Sequence, residues 1–249
     1  MGEFISHNVV LEGGTQTAPG RVIVAESGLC RAALRYLEET FGPGPHPDVT
    51  VADLGCLEGG YAAEFARAGY DVTGFEARQE NYQRATWLAG QLALPNLRFE
   101  HGDVRDVLDG RTFDAVFCCG LLYHLDRPVE FLHLLGKVTG RLLILNTHHS
   151  LLDGTGHPEH VHHPGEHCDT EPSVHEGRTG HWHHEDDLMW SSFGNRSSFW
   201  LRKDELMGVL REAGFTDVAE RDDWHDGAPM PHGSGGEFAD RGMFTALKP

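Results

Sequence analysis

An apolar run, Val51-Ala-Asp-Leu, ends in Asp53-x-Gly55-x-Leu57-x-Gly59 and passes directly into a helical pattern. Glycines at such a strand-to-helix turn allow positive φ and let a ligand lie against bare backbone. Twenty-three residues after Asp53, a second β-rich run ends in Gly74-Phe-Glu76. An acid at that place can accept hydrogen bonds from both hydroxyls of a ribose. A third run leads to His101-Gly102-Asp103-Val104, whose carboxylate can meet an adenine amino group. Three such features at the C-terminal ends of successive parallel strands mark a ligand edge, because ligands of doubly wound sheets bind there. A nicotinamide dinucleotide is the obvious competitor, yet Gly-x-Gly-x-x-Gly is not met.

Imidazoles are the second chemical resource. Eleven of the eighteen histidines fall between His148 and His184. Imidazole is the commonest transition-metal ligand, and His181-x-His183, with His184 beside it, could project ligands from a strand. The spacing matches no firm zinc motif, so a divalent-metal site and a merely solvating polar lid both stay open. Acids crowd the same region (Glu159, Glu166, Asp169, Glu171, Glu176, Glu185, Asp186, Asp187) and a later loop (Asp222, Asp223, Asp226). Acids around a pocket mouth attract and orient an amine-bearing ligand. Trp182, Trp190, Phe193, Trp200 and Trp224 offer flat faces for sugar rings or cations. They could equally pack a lid.

These residues need elements to place them. Val22–Phe41 contains a helical lead-in, closed by Gly42-Pro-Gly-Pro-His-Pro-Asp. Strands are then expected at Thr50–Leu54, Asp71–Glu76, Leu97–His101, Phe113–Cys118 and Arg141–Asn146, and helices at Tyr61–Ala68, Glu80–Leu94 and Pro128–Val138. Such alternation predicts an α/β, doubly wound Rossmann-like sheet. It stops over His148–Ser198, which shows no lasting period. It resumes with a helix at Arg202–Ala213 and strands at Thr216–Glu220 and Arg241–Leu247. The organisation expected is a lead-in over 1–49, a ligand-binding core over 50–147, a His- and acid-rich lid over 148–198, and the rest of the core over 199–249.

The formal charge of −18 works against a nucleic-acid or anionic-membrane partner. At 39% hydrophobic the chain is globular. No leader is visible from Met1 to Pro19, and no apolar run approaches a membrane span. The five cysteines are scattered without CxxC spacing and read as reduced thiols of a cytoplasmic protein.

The motifs Asp53-Leu-Gly-Cys-Leu-Glu-Gly, Gly74-Phe-Glu, Gly102-Asp-Val and Phe113-Asp-Ala-Val-Phe-Cys-Cys-Gly-Leu-Leu-Tyr-His-Leu, with Glu205-Leu and Leu210-Arg-Glu-Ala-Gly-Phe, resemble the class I S-adenosylmethionine-dependent methyltransferases. The resemblance implies a seven-stranded sheet whose last strand is antiparallel. It implies Asp53, Gly55 and Gly59 at the methionine moiety, Glu76 at the ribose and Asp103 at the adenine; Leu57, Ala77, Val104 and Cys119 complete the candidate cofactor contacts. Leu57 departs from the pattern, since the family usually has a glycine there. Gly120-Leu-Leu-Tyr-His-Leu-Asp-Arg-Pro and Asn195-Arg-Ser-Ser-Phe-Trp also resemble a branch of tRNA-uridine modifiers, an alternative that the acidic charge opposes.

Methyl transfer is an in-line displacement in which the protein holds the acceptor close and removes its proton. The candidate bases are His124, after the fourth strand, and His148 and His149, after the fifth. Tyr123, Trp182, Asp222 and Asp223 are the candidate acceptor contacts. The acceptor expected is nitrogen or a hydroxyl oxygen of a small, cationic or sugar-like molecule, such as an aminosugar of natural-product or antibiotic biosynthesis. A homodimer is left open.

Overall fold

A computed structural model describes residues 3–152, 168–185, 191–224 and 240–249. Its elements run α1 (Gly28–Phe41), β1 (Thr50–Leu54), α2 (Gly60–Arg67), β2 (Asp71–Glu76), α3 (Gln79–Leu92), β3 (Leu97–His101), α4 (Val104–Val107), β4 (Phe113–Cys119), α5 (Pro128–Val138) and β5 (Thr139–His148). They continue as β6 (Ser173–His175), β7 (Arg178–His184), β8 (Ser197–Leu201), α6 (Lys203–Glu212), β9 (Asp217–Arg221) and β10 (Arg241–Leu247). Seven strands form one sheet in the order β3-β2-β1-β4-β5-β10-β9. β1 pairs parallel with β2 and β4, β2 pairs parallel with β3, and β10 runs antiparallel to β9. The expected doubly wound sheet with an antiparallel last strand is therefore present.

Local sequence explains these elements. Val51, Ala52, Leu54, Val72, Phe75 and Ala115–Cys118 are buried, the unbroken apolar runs of strands covered on both faces. In α1, Ser27 Oγ accepts from Cys30 N at 3.2 Å, and Leu29, Cys30, Ala32, Ala33, Tyr36 and Leu37 turn inward. Gly42, at φ 93°, ends it with a torsion that glycine tolerates best.

One expectation is corrected. The described part of 148–198 is not irregular: β6, β7 and β8 form a separate antiparallel sheet, with β6 paired to β7 and β7 to β8. The buried positions of β7 are Gly180, His181 and His183, so the strand pattern is written in histidine rather than in Val or Ile. A Cβ on Gly180 would lie 2.2 Å from the Trp200 carbonyl oxygen, which restricts that position to glycine.

The chain divides into two compact units. The first comprises 1–118, 138–144 and 223–226, and the second 119–137, 145–222 and 227–249. His157, His160, His162, His163, His167, Glu159, Glu166, Asp186, Asp187, Trp190 and Asp226 lie outside the described residues. No helix of the described residues is long and apolar enough to cross a membrane.

Candidate active site

In the first unit the strand ends converge as their sequence requires. After β1 the backbone takes positive φ at Gly55 (69°), Leu57 (53°) and Gly59 (82°), and Gly59 caps α2. Leu57 thus adopts the torsion that a glycine would take at the same place, at a cost of about 1–2 kcal/mol. Gly59 and Gly74 are held to glycine by packing, since a Cβ on either would come within 2.5 Å of the Phe99 ring.

Two carboxylates border this loop, Asp53 near the end of β1 and Glu76 at the end of β2. Asp53, 2% exposed, accepts from Ala62 N at 3.1 Å. Burial pushes its carboxyl up to about 8; the Ala62 bond opposes the rise and the charge of Glu76 adds to it. Glu76, 6% exposed, accepts from Leu57 N at 2.9 Å and from Arg78 N at 2.7 Å. Burial raises its pKa as well, against the pull of those two N–H groups. A carboxylate offers about four lone-pair sites, so Glu76 keeps acceptor capacity for ribose hydroxyls. Asp53, raised to about 8, is largely protonated near pH 7 without ligand and would ionise as an ammonium pairs with it. These residues fit the cofactor that the motifs imply.

The third strand end is more occupied. Asp103 caps α4 by accepting from Arg105 N at 2.9 Å, and its carboxylate also pairs with the Arg105 guanidinium at 2.6 Å. Burial pushes the Asp103 carboxyl up, but Arg105 more than offsets it and leaves it below the ordinary range. An adenine amino group meeting Asp103 would share it with Arg105. Val104 is buried and Ala77 half-buried; the Ala77 carbonyl accepts from His101 Nε2 at 3.0 Å. Asp223 is engaged by α1, with Arg35 Nη2 at 2.9 Å and the Tyr36 hydroxyl at 2.6 Å.

Sequence reasoning missed a clamp on the same loop. Glu58, fully buried, accepts from the backbone N–H of Ile5 (2.7 Å), Ser6 (3.0 Å) and His7 (2.9 Å). His7 Nδ1 in turn accepts from Gly60 N at 2.9 Å. A Cβ on Gly60 would meet the His7 ring at 2.8 Å, so the second glycine of Gly59-Gly60 makes room for this strap. Burial lowers the His7 imidazole to about 4, which keeps Nδ1 an acceptor at neutral pH. The one sequence sign was a Glu directly before Gly59-Gly60.

In the second unit the centre is Tyr123. Its ring lies 4.3 Å from that of His124 and 4.7 Å from that of His148, and the Arg241 guanidinium stands 5.7 Å over it. Burial raises the Tyr123 phenol against the pull of Arg241. Arg241 Nε donates to Asn146 Oδ1 at 2.8 Å, and the Cys119 thiol donates to the same oxygen at 3.8 Å. His124 Nδ1 is 3.1 Å from Glu185 Oε1. His148 Nδ1 lies 3.5 Å from Asp240 Oδ1, and its ring stacks on Trp200 at 4.9 Å.

The structure separates His148 from His149. Successive side chains of extended backbone point to opposite faces. His149 therefore lies by Phe244, and with Ser150, Leu152, Arg202 and Lys203 it lines a recess of about 330 Å³. Burial, then the charge of Lys203, lowers its pKa. It does not join the Tyr123 cluster.

The expected metal trio does not assemble. His181 and His183 are buried on one face of β7, where His181 Nδ1 meets Ser150 Oγ at 2.7 Å and His183 Nδ1 meets Cys168 Sγ at 3.2 Å. His184 is exposed on the other face, beside Asp169 (3.2 Å) and Ser197 (3.4 Å). Strand alternation divides them. Among the described residues no group of three or more His, Cys, Asp or Glu side chains could hold a metal ion. Trp182 packs on His175 (4.7 Å) and Phe199 (5.1 Å), and Asp222 is exposed.

Comparison with known proteins finds similarity over part of the chain. Residues 51–139 match the family model described as a methyltransferase domain. The chain is 31% identical over 110 residues to a tRNA U34 carboxymethyltransferase of Campylobacter concisus, covering 42% of this chain and 37% of that one. It is 34% identical over 107 residues to a mitochondrial ubiquinone biosynthesis O-methyltransferase of Schizosaccharomyces pombe, covering 41% and 39%. The matched segment thus spans about two fifths of each curated relative. The N-terminal domain of EvdMO1, solved in the presence of S-adenosylhomocysteine (SAH) and D-fucose, superposes with a TM-score of 0.66 at 23% identity, over 95% of this chain and 87% of that one. That likeness is one of fold.

Proposed function

From the match of residues 51–139 to a methyltransferase domain we propose that the chain is a class I S-adenosylmethionine-dependent methyltransferase and moves a methyl group to nitrogen or oxygen of a small polar acceptor, cationic or sugar-like. The observation that carries this is the pair of buried carboxylates, Asp53 and Glu76, at the ends of adjacent parallel strands. When bound, S-adenosylmethionine supplies an electrophilic methyl group on a positively charged sulfur. Glu76 would hold the ribose hydroxyls and Asp53 the methionine end. Leu57 N and Arg78 N fix the Glu76 carboxylate in place before any ligand arrives. A rigid acceptor of this kind loses little on binding. On the acceptor side Tyr123 and the flanking imidazoles would orient the substrate and take its proton.

The charge of −18 favours a cationic acceptor, and the D-fucose in the solved relative's structure supports a sugar-like one. A panel of aminosugars, neutral sugars and phenols, assayed for SAH release, tests the choice. Turnover of aminosugars or sugars is expected; preference for phenols overturns it. The identity to a tRNA U34 carboxymethyltransferase keeps a second reading, tRNA modification. A gel shift with tRNA decides: no shift is expected from so acidic a chain.

A further inference from the structure

Glu185 follows β7, in a segment whose acids the sequence reading treats only as a collective charge. In the second unit its side chain is 4% exposed and faces His124, with Oε1 at 3.1 Å and Oε2 at 3.3 Å from Nδ1. Ser192 N donates to Oε2 at 2.9 Å and Ser198 Oγ to Oε1 at 2.9 Å. Burial pushes the Glu185 carboxyl up, but these bonds and the imidazole prevail and hold it below the ordinary range. It is a carboxylate at neutral pH. Asn195 fixes the other end of the arrangement, its Nδ2 donating to the His124 carbonyl (3.0 Å) and to the Ser197 carbonyl (2.9 Å). An imidazole that meets a carboxylate through Nδ1 carries its proton there, which puts the lone pair on Nε2. No described residue hydrogen-bonds Nε2, and the side chain is 20% exposed. His148, by contrast, is 8% exposed, packed against Tyr123 and Trp200, with its carboxylate neighbour at 3.5 Å.

We propose that Glu185 is a positioning residue that holds His124 as the Nδ1–H tautomer, so that His124 Nε2 takes the acceptor's proton; this rests on the methyl-transfer reading above. In the step, Nε2 removes the proton of the acceptor's O–H or N–H. The electron pair left on the acceptor forms the bond to the methyl carbon as the sulfur–methyl bond breaks, its pair passing to sulfur. The imidazolium is countered by Glu185 and returns its proton to water. The groups facing the ring are Glu185 beyond β7, Ser192, Asn195 and Ser198 through their bonds to Glu185 or to the His124 backbone, and Tyr123 beside it.

The test compares the parent, Glu185→Gln, His124→Gln and the double variant, each folded by melting curve. It uses the best aminosugar or sugar of the panel at saturating S-adenosylmethionine. Glu185→Gln should lower kcat about 10- to 100-fold with KM for S-adenosylmethionine within twofold. His124→Gln should lose at least as much, and the double variant no more than His124→Gln alone, since the two residues act as one unit. NMR of histidine-labelled protein with SAH should show His124 protonated on Nδ1 in the parent. A kcat within twofold, additive losses or the Nε2–H tautomer each overturn the proposal. A parent that methylates none of the panel overturns the functional reading as well, whereas an active parent with an equally active Glu185→Gln overturns this proposal alone.

Discussion

Replacing Glu58 by Gln keeps the side chain's size and removes its ability to accept at both ends. The carboxylate takes N–H bonds from Ile5 at 2.7 Å through Oε1, and from Ser6 at 3.0 Å and His7 at 2.9 Å through Oε2. A glutamine has one carbonyl oxygen, so in either orientation one or two of these N–H groups face an NH₂. A buried donor left without an acceptor costs about 1–3 kcal/mol. Arg84, whose Nε lies 3.7 Å from Oε1, also loses a charged partner. The sum is about 2–4 kcal/mol. In a chain of this length each kcal/mol is worth about 2–4 °C in Tm, so calorimetry should record a fall of roughly 5–15 °C. The strap holds His7 on Gly60 N, where α2 follows the loop proposed to hold the cofactor, so on that reading SAH affinity should fall with it. A variant melting within 1 °C of the parent, with unchanged SAH affinity, would refute the clamp.

The left-handed torsion at Leu57 makes a contrast between two substitutions. Leu57→Val should lower Tm by several degrees, because a branched Cβ fits positive φ worse than leucine does, whereas Leu57→Gly should hold within about 2 °C, the relieved strain offsetting lost chain order. Melting curves of both variants check this, and a Val variant as stable as the parent would contradict the torsion. Asp53 predicts a pH dependence. Its carboxyl is raised from 3.8 to about 8, so the folded protein holds a proton that the unfolded chain releases. The stability it contributes is complete below about pH 4 and fades as pH climbs to about 8. His7, lowered from 6.5 to about 4, works in the opposite sense but only below 6.5. Between pH 6.5 and 8 the ligand-free parent should lose stability more steeply than Asp53→Asn, as denaturant titration would show. Parallel curves would sink the assignment.

The strands β1 to β3 and the turns after them were legible because their signals are local. Glycines that end apolar runs, and acids placed just after them, translate directly into parallel strands carrying Asp53 and Glu76 at one edge. The rest depended on contacts distant in sequence. Glu58 meets residues 5–7, more than fifty positions away, and Glu185 meets His124 from sixty-one positions away. The second sheet was hidden because His181 and His183 occupy positions that a periodicity scan expects to be aliphatic. The adjacent pair His148-His149 read as one resource, yet extended backbone sends the two rings to different neighbours. For the same reason His184 leaves His181 and His183, and a ligand trio plausible on spacing does not assemble.

The central claim is that Asp53 and Glu76 hold an adenosyl cofactor. Titration calorimetry of SAH into the parent and into Glu76→Ala tests it most directly. The parent should bind with micromolar affinity and the variant about 100-fold more weakly, since hydrogen bonds to a charged acceptor are worth about 1.5–3 kcal/mol each. A parent that ignores SAH, or a folded Glu76→Ala that binds it within twofold of the parent, would contradict the account.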